Sequence, residues 1–162
     1  MSNAANRAIV LYDGVCGFCD RFIGMVLRKD KRDRLRFASL QSPVGREMLK
    51  KHGLSQSSLD TIYLVLNPGE EDEKLLGKSD ALIAILKILG GFWTFEAAAL
   101  RVAPKALRDR MYEAFAQNRY RFFGRYDTCV IPHSRYQKKF LDWDCPPAAS
   151  RDKIGGQSLP GA

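Results

Sequence analysis

Ala8-Ile9-Val10-Leu11-Tyr12-Asp13-Gly14-Val15-Cys16-Gly17-Phe18-Cys19-Asp20 is a short apolar run that breaks at an Asp-Gly pair and then opens a helical pattern. The unbroken apolar residues from Ala8 to Tyr12 predict a strand buried on both faces of an α/β sheet. Past the turn, Cys19, Phe22, Ile23, Val26 and Leu27 recur at i, i+3, i+4, i+7 and i+8, while Arg21, Arg28 and Lys29 lie off that stripe. Cys16 and Cys19 therefore stand where a strand becomes a helix. The first turn of a helix leaves backbone N–H groups unpaired and carries the positive end of the macrodipole, which favours a negative sulfur. An interaction of roughly 0.5–2 kcal/mol corresponds to about 0.4–1.5 pKa units, enough to bring a thiol from about 8.5 towards neutrality.

The stripe also tells the two thiols apart. Cys19 heads the buried face, and Cys16 precedes it by one turn, where it is expected to be exposed. That placement makes Cys16 the attacking thiolate and Cys19 the thiol that resolves the mixed disulfide. Asp13 has two readings: a residue fixing the tight turn, or a proton acceptor for Cys19 during resolution. As a carboxylate beside the thiols it opposes thiolate formation, so a residue that only tuned Cys16 should be basic. Arg36, Arg119 and Arg125 are the candidates for that stabilising charge, each weighed against a simple solvated face.

Working outward, the charged run Arg28 to Arg36 closes the first helix, and Leu35 to Leu40 reads as a second strand. A strand-helix-strand unit of this kind should be parallel and right-handed. Ser42 caps a short helix from Pro43 to His52, and Gly53 ends it. Thr61 to Leu66 and Lys74 to Leu76 flank Asn67-Pro68-Gly69 as a hairpin. Ser79 to Leu89 is a helix closed by Gly90-Gly91. The order β-α-β-α-β-β-α predicts an α/β, thioredoxin-like domain. Phe95 to Val102 and Pro104 to Asn118 add a helical C-terminal extension, the latter with Leu107, Met111 and Phe115 at i, i+4 and i+8 as the stripe expected to pack on the domain. The expected domain runs over residues 7–145, and the Pro-, Gly- and Ser-rich stretch over 146–162 reads as a disordered tail.

At 162 residues, 46% hydrophobic and 27% charged, the chain has the length and composition of a single soluble globular domain. Its net charge of +8 comes with no nucleic-acid recognition motif. The aromatic-basic stretch Arg119-Tyr120-Arg121-Phe122-Phe123 reads as a helix end rather than as a single-strand binding surface. The longest apolar tract, Ala81 to Phe95, is interrupted and too short for a bilayer, and Met1 to Arg7 has no signal-like apolar run. The expected compartment is the cytosol, with no membrane span and no nucleic-acid partner. A dithiol there is more often catalytic or metal-binding than structural.

Asp13-Gly14-Val15-Cys16-Gly17-Phe18-Cys19 resembles the D-G-x-C-x-x-C signature of the DCC family (DUF393) of predicted thiol-disulfide oxidoreductases. Asn118 to Arg125, then Asp127-Thr128-Cys129 and Ile131-Pro132, is similar to that family's C-terminal pattern. The resemblance covers roughly Ala8 to Leu141 and implies a thioredoxin-like fold. It also implies disulfide exchange with a disulfide-containing protein or a small-molecule thiol, at Cys16 and Cys19. No bound cofactor is needed, because the dithiol stores the two electrons. Thioredoxins and glutaredoxins carry a cis-proline just before the third strand; Ser58-Leu59-Asp60-Thr61 has none. The alternative is a zinc-stabilised binding module using Cys16, Cys19, Cys129 and His133. Cys145 reads as an incidental thiol.

Overall fold

The computed structural model describes residues 7–54, 61–124 and 134–142. Five apolar residues form β1 (Ala8–Tyr12), buried along its whole length as the sequence predicts. It runs through the turn into α1 (Gly17–Lys29), which returns the chain to β2 (Leu35–Ser39), parallel to β1 with Ala8 opposite Leu35 and Tyr12 opposite Ser39. Ser42 caps α2 (Pro43–Lys51), its hydroxyl accepting the Gly45 N–H at 3.1 Å. β3 (Tyr63–Leu66) then pairs antiparallel with β1, and β4 (Lys74–Gly77) antiparallel with β3. The sheet order is β2-β1-β3-β4. α3 (Lys78–Leu89) completes the β-α-β-α-β-β-α order read from the sequence, an α/β arrangement consistent with a thioredoxin-like fold.

The alternation of β1 explains why it is apolar throughout. Val10 and Tyr12 enter one core with Ile23, Val26 and Leu27 of α1 and Ile85 of α3, while Ile9 and Leu11 enter a second core with Leu49 of α2. Both faces are covered, so neither set of side chains tolerates polarity. Burial of each aliphatic side chain contributes roughly 1.5–3 kcal/mol. Cys16 and Cys19 belong to the first of these cores.

α4 (Phe92–Val102) and α5 (Lys105–Phe123) form the helical extension. α4 packs on α3, with Ala97 against Ile83 and Leu86. α5 differs from its sequence reading in length and in rotation. It runs through Phe123, and most of its expected core stripe faces outward: Leu107 is 52% exposed and Met111 66%, while Phe115, 38% exposed, keeps one face against Phe18. Tyr112, Ala116 and Arg119, at i, i+4 and i+7, face inward instead. The reason is polar. The Tyr112 hydroxyl accepts the Ile62 N–H at 3.0 Å, and Arg119 reaches a buried carboxylate at the end of β1. Apolar periodicity records which residues prefer burial, not which surface a second helix finds opposite it.

A 3-10 turn (Ser134–Lys139) leads the chain back along β2. Leu141 N–H donates to Phe37 O at 2.9 Å, and Asp142 accepts the Ser39 N–H at 2.5 Å. The tail over 146–162 lies outside the described residues, and so do Ser58 to Asp60, where the missing proline falls.

Candidate active site

Cys16 is the N-cap of α1. Its extended backbone (φ −94°, ψ 118°) turns the Sγ over the first turn, where it accepts the Cys19 N–H at 3.4 Å, as a serine oxygen would at this position. The two cysteines approach to 3.3 Å. This geometry drives their acidities apart. The Cys19 thiol, donating a hydrogen bond, is the largest cause that takes Cys16 from an ordinary 9.0 down to about 6. Burial opposes the shift, the Cys19 N–H and the Arg119 guanidinium assist it, and Asp13 opposes it weakly. Cys19 moves far up, because it holds its proton for Cys16, is buried, and lies beside the Cys16 charge.

Asp13 sits at the end of β1 and is 1% exposed. Its Oδ1 accepts the Val15 N–H at 3.2 Å and the Gln41 side-chain amide at 2.8 Å. Its Oδ2 accepts Arg119 Nη2 at 2.7 Å and the Tyr120 hydroxyl. Gln41 is itself set by the Gly14 N–H at 3.0 Å and the Ser39 hydroxyl at 2.6 Å. The carboxylate thus joins the turn before Cys16 to the end of β2 and to α5. A carboxylate accepting four hydrogen bonds is committed to holding these elements, which favours the turn-fixing reading of Asp13 over the proton-acceptor one.

Of the two candidate arginines among the described residues, Arg119, 2% exposed, is the one the structure brings to the thiols. Arg36 instead pairs with Asp33 at 2.8 Å and donates to Leu35 O. Arg125 lies outside the described residues, as do Cys129, His133 and Cys145, so the expected zinc set is described only in its Cys16 and Cys19 half. Among the described residues, no group of three or more His, Cys, Asp or Glu side chains is placed to hold a metal ion. Gln41 and Tyr120 were not candidates from sequence. An uncharged amide and a phenol inside an aromatic-basic run carry no signal until β2 and α5 are brought together.

One expectation is overturned. Cys16, expected to be exposed, has 0% accessible surface, and Cys19, expected to be the hidden thiol, has 7%. Next to Cys16 the C-terminal end of α5 packs on the first turn of α1, a contact that the helical pattern of α1 alone could not show. The Gly17 N–H donates to Gly124 O at 3.4 Å, and a Cβ on Gly17 would stand 2.3 Å from Phe123 O. Phe18 packs edge-on to Phe115, centroids 4.7 Å apart, and against Phe123 at 5.1 Å. Gly17→Ala should therefore push the end of α5 off the first turn. We expect a stability loss of about 1–3 kcal/mol and faster alkylation of Cys16 by iodoacetamide. Gly24→Ala, whose Cβ would meet nothing closer than 3.7 Å, should show neither. Unchanged Cys16 labelling in Gly17→Ala would show that this contact does not shelter Cys16.

Among the described residues no helix is long and apolar enough to cross a membrane. The chain is 34% identical over 133 residues to YuxK, an uncharacterized protein of Bacillus subtilis (strain 168), covering 82% of this chain and 93% of that one. It is 35% identical over 125 residues to a chloroplastic DCC family protein of Arabidopsis thaliana, covering 77% and 70%. No solved structure matches the chain. The model of the DCC1-like thiol-disulfide oxidoreductases matches residues 10–125, the span from β1 through the dithiol to the end of α5 that carries Arg119 and Tyr120. The chain belongs to the DCC1-like thiol-disulfide oxidoreductase family.

Proposed function

We propose that the protein is an enzyme exchanging thiols and disulfides, with Cys16 attacking and Cys19 resolving. The observation that carries this reading is the placement of two thiols 3.3 Å apart with Cys16 as the helix N-cap accepting the Cys19 N–H, a geometry that lowers Cys16 to about 6 while Cys19 keeps its proton. At pH 7 such a Cys16 is about nine-tenths thiolate. Its Sγ attacks one sulfur of a substrate disulfide R–S–S–R′, forming Cys16–S–S–R and releasing R′–S⁻, which takes up a proton. The charge on Cys16 is then gone, and with it the hydrogen bond that held the Cys19 proton. Cys19 loses that proton to solvent and attacks Cys16 Sγ, closing the Cys16–Cys19 disulfide and releasing R–S⁻. Two electrons pass from the dithiol to the substrate, and the reverse sequence oxidises a substrate dithiol. Because Cys16 is buried, attack requires the site to open, and the Phe123–Gly124 end of α5, packed on the adjacent Gly17, is the segment whose movement off α1 would do this. Asp13 acts in this scheme by holding Arg119 near the thiolate. The cytosol, where a dithiol persists reduced, is the compartment that goes with the reading.

The test is a thiolate titration by ultraviolet absorbance, which needs no reagent to reach the sulfur. Reduced protein should show one thiol titrating near pH 6, absent in Cys16→Ser. Linkage fixes the sign for stability. The folded value lies below the unfolded one, so between about pH 6 and 9 the unfolded chain binds more protons and the reduced fold gains stability as pH rises. The gain is complete above the unfolded value and lost as pH falls through about 6. A midpoint near 9 in the folded protein, with a flat pH–stability profile, would refute the activation of Cys16.

A further inference from the structure

A cavity of about 120 Å³ opens beside the dithiol, between α1, α3, α5 and the start of β3. Phe18, Phe22, Ile62 and Ala116 wall it, and Cys19 lies in the wall with them. Its polar lining is turned to other partners: the Tyr112 oxygen accepts the Ile62 N–H, and Arg119 Nη2 donates to Asp13. Burial pushes the Tyr112 phenol up to about 12, so no charge faces the space from that side at neutral pH. A water there would find few partners, and apolar cavities near this size stay dry and admit a benzene-sized group. Whole drug-sized ligands occupy sites of about 300–1,000 Å³. The space fits one side chain.

Of Cys16 and Cys19, only Cys19 has accessible surface, and the cavity lies against it. A group seated there would lie next to the disulfide as it forms and resolves. The apolar surface does not stop at the mouth. Phe115 belongs both to the wall and to the outward stripe of α5, which continues through Leu107 and Met111, with Phe122 on the same side. An apolar surface that runs on along a helix from a one-side-chain cavity suits a partner longer than a small molecule.

We propose that the substrate is a polypeptide disulfide that inserts a leucine- or phenylalanine-sized side chain, adjacent to its reacting cysteine, into this cavity. This inference rests on the exchange reading and specifies its substrate class. The inserted side chain is not changed. The bonds formed and broken are those of the exchange: Cys16–S–S–R forms as R–S–S–R′ breaks, then Cys16–S–S–Cys19 forms as R–S⁻ leaves. A charged or glycine neighbour would leave the cavity empty or place charge against carbon, and lose the transfer of apolar area from water.

The experiment measures single-turnover oxidation of fully reduced full-length protein by acid quench and mass spectrometry, with symmetrical disulfides of acetyl-Xaa-Cys-amide. Xaa is Leu, Gly or Glu. Oxidised dithiothreitol and dipropyl disulfide complete the set. Leu should exceed Gly by roughly ten- to hundredfold, the worth of burying one such side chain, with Glu slowest. Ala116→Phe fills the cavity from α5 and should bring the Leu to Gly ratio near one; Leu82→Phe fills it from α3 and serves if the first variant does not fold. Equal rates for the three peptides, or a ratio that survives a folded filled variant, would overturn the cavity's role. Dipropyl disulfide outpacing the leucine peptide would overturn the polypeptide assignment. No reaction with any compound, dithiothreitol included, would overturn the exchange reading itself; reaction with dithiothreitol but no peptide preference overturns only this inference.

Discussion

Cys19→Ser is expected to accumulate Cys16 mixed disulfides, and Cys16→Ser to accumulate none. In the first variant the one thiol that, among the described residues, stands within reach of Cys16 is gone, so an adduct, once formed, loses that internal route of release. The helix cap survives the change, since the residue 19 N–H still reaches Cys16 Sγ, and the serine hydroxyl replaces the thiol as donor. Placing a hydroxyl among apolar neighbours costs roughly 1–3 kcal/mol when it finds no partner. In the second variant the influences that came from Cys16 are gone, but burial in the wall of an apolar space still opposes ionisation of the remaining thiol, and without a cap position of its own it should be unreactive at pH 7. A non-reducing gel with mass spectrometry, on extracts alkylated at harvest, reads the asymmetry, and dithiothreitol should abolish every adduct. Equal trapping by the two variants would end the assignment of roles. Loss of bound zinc from both, without adducts, would favour the metal-binding alternative.

Arg119→Met should be the most damaging single change outside the dithiol. It removes the guanidinium from a carboxylate that is itself 1% exposed, leaving Asp13 with buried charge and only neutral donors. Breaking one side of such a pair costs about 3–5 kcal/mol, a large share of a total stability of about 5–15 kcal/mol. The same change withdraws a positive charge that lowers Cys16, so the thiolate midpoint should rise from about 6. Urea unfolding and the absorbance titration check the two effects separately. Asp13→Asn combined with Arg119→Met should recover much of the stability, because the uncompensated charge is gone, without restoring the low midpoint. A loss below 1 kcal/mol in the single variant would mean that the pair is not what anchors α5 to the turn.

Much of the fold was legible because it follows from local rules. β1 has the predicted limits, the Ser42 cap with Pro43 behind it starts α2, and the hairpin flanks Asn67-Pro68-Gly69. The dithiol's place at the head of α1 was legible for the same reason: a break in apolar continuity followed by a change of period. What escaped depends on contacts distant in the chain. Gln41 meets Asp13 only because β1 and β2 lie side by side, and Arg119 turns inward only because a buried carboxylate awaits it. The exposed status given to Cys16 failed on the same ground, since its first turn meets Phe123 and Gly124, which pack on the adjacent Gly17 from more than 100 residues away. The rotation of α5 is the clearest case, for there an ion pair and a tyrosine decided the inward face over Leu107 and Met111.

The bond from Arg119 to Asp13 spans 106 residues, and this ties reactivity to the completeness of folding. The strands and helices from Ala8 to Leu89 can assemble from segments close in sequence, whereas α5 must close a loop of more than 100 residues to reach the turn, the kind of contact that comes late and slowly. A chain still emerging from the ribosome carries Cys16 and Cys19 before it carries Arg119 or the end of α5 that packs on the adjacent Gly17. During that interval the pair lacks its guanidinium and has the helix end open to solvent. Full acidity and shelter arrive together, with the docking of the last long helix, so the chemistry matures only in a molecule that has finished folding.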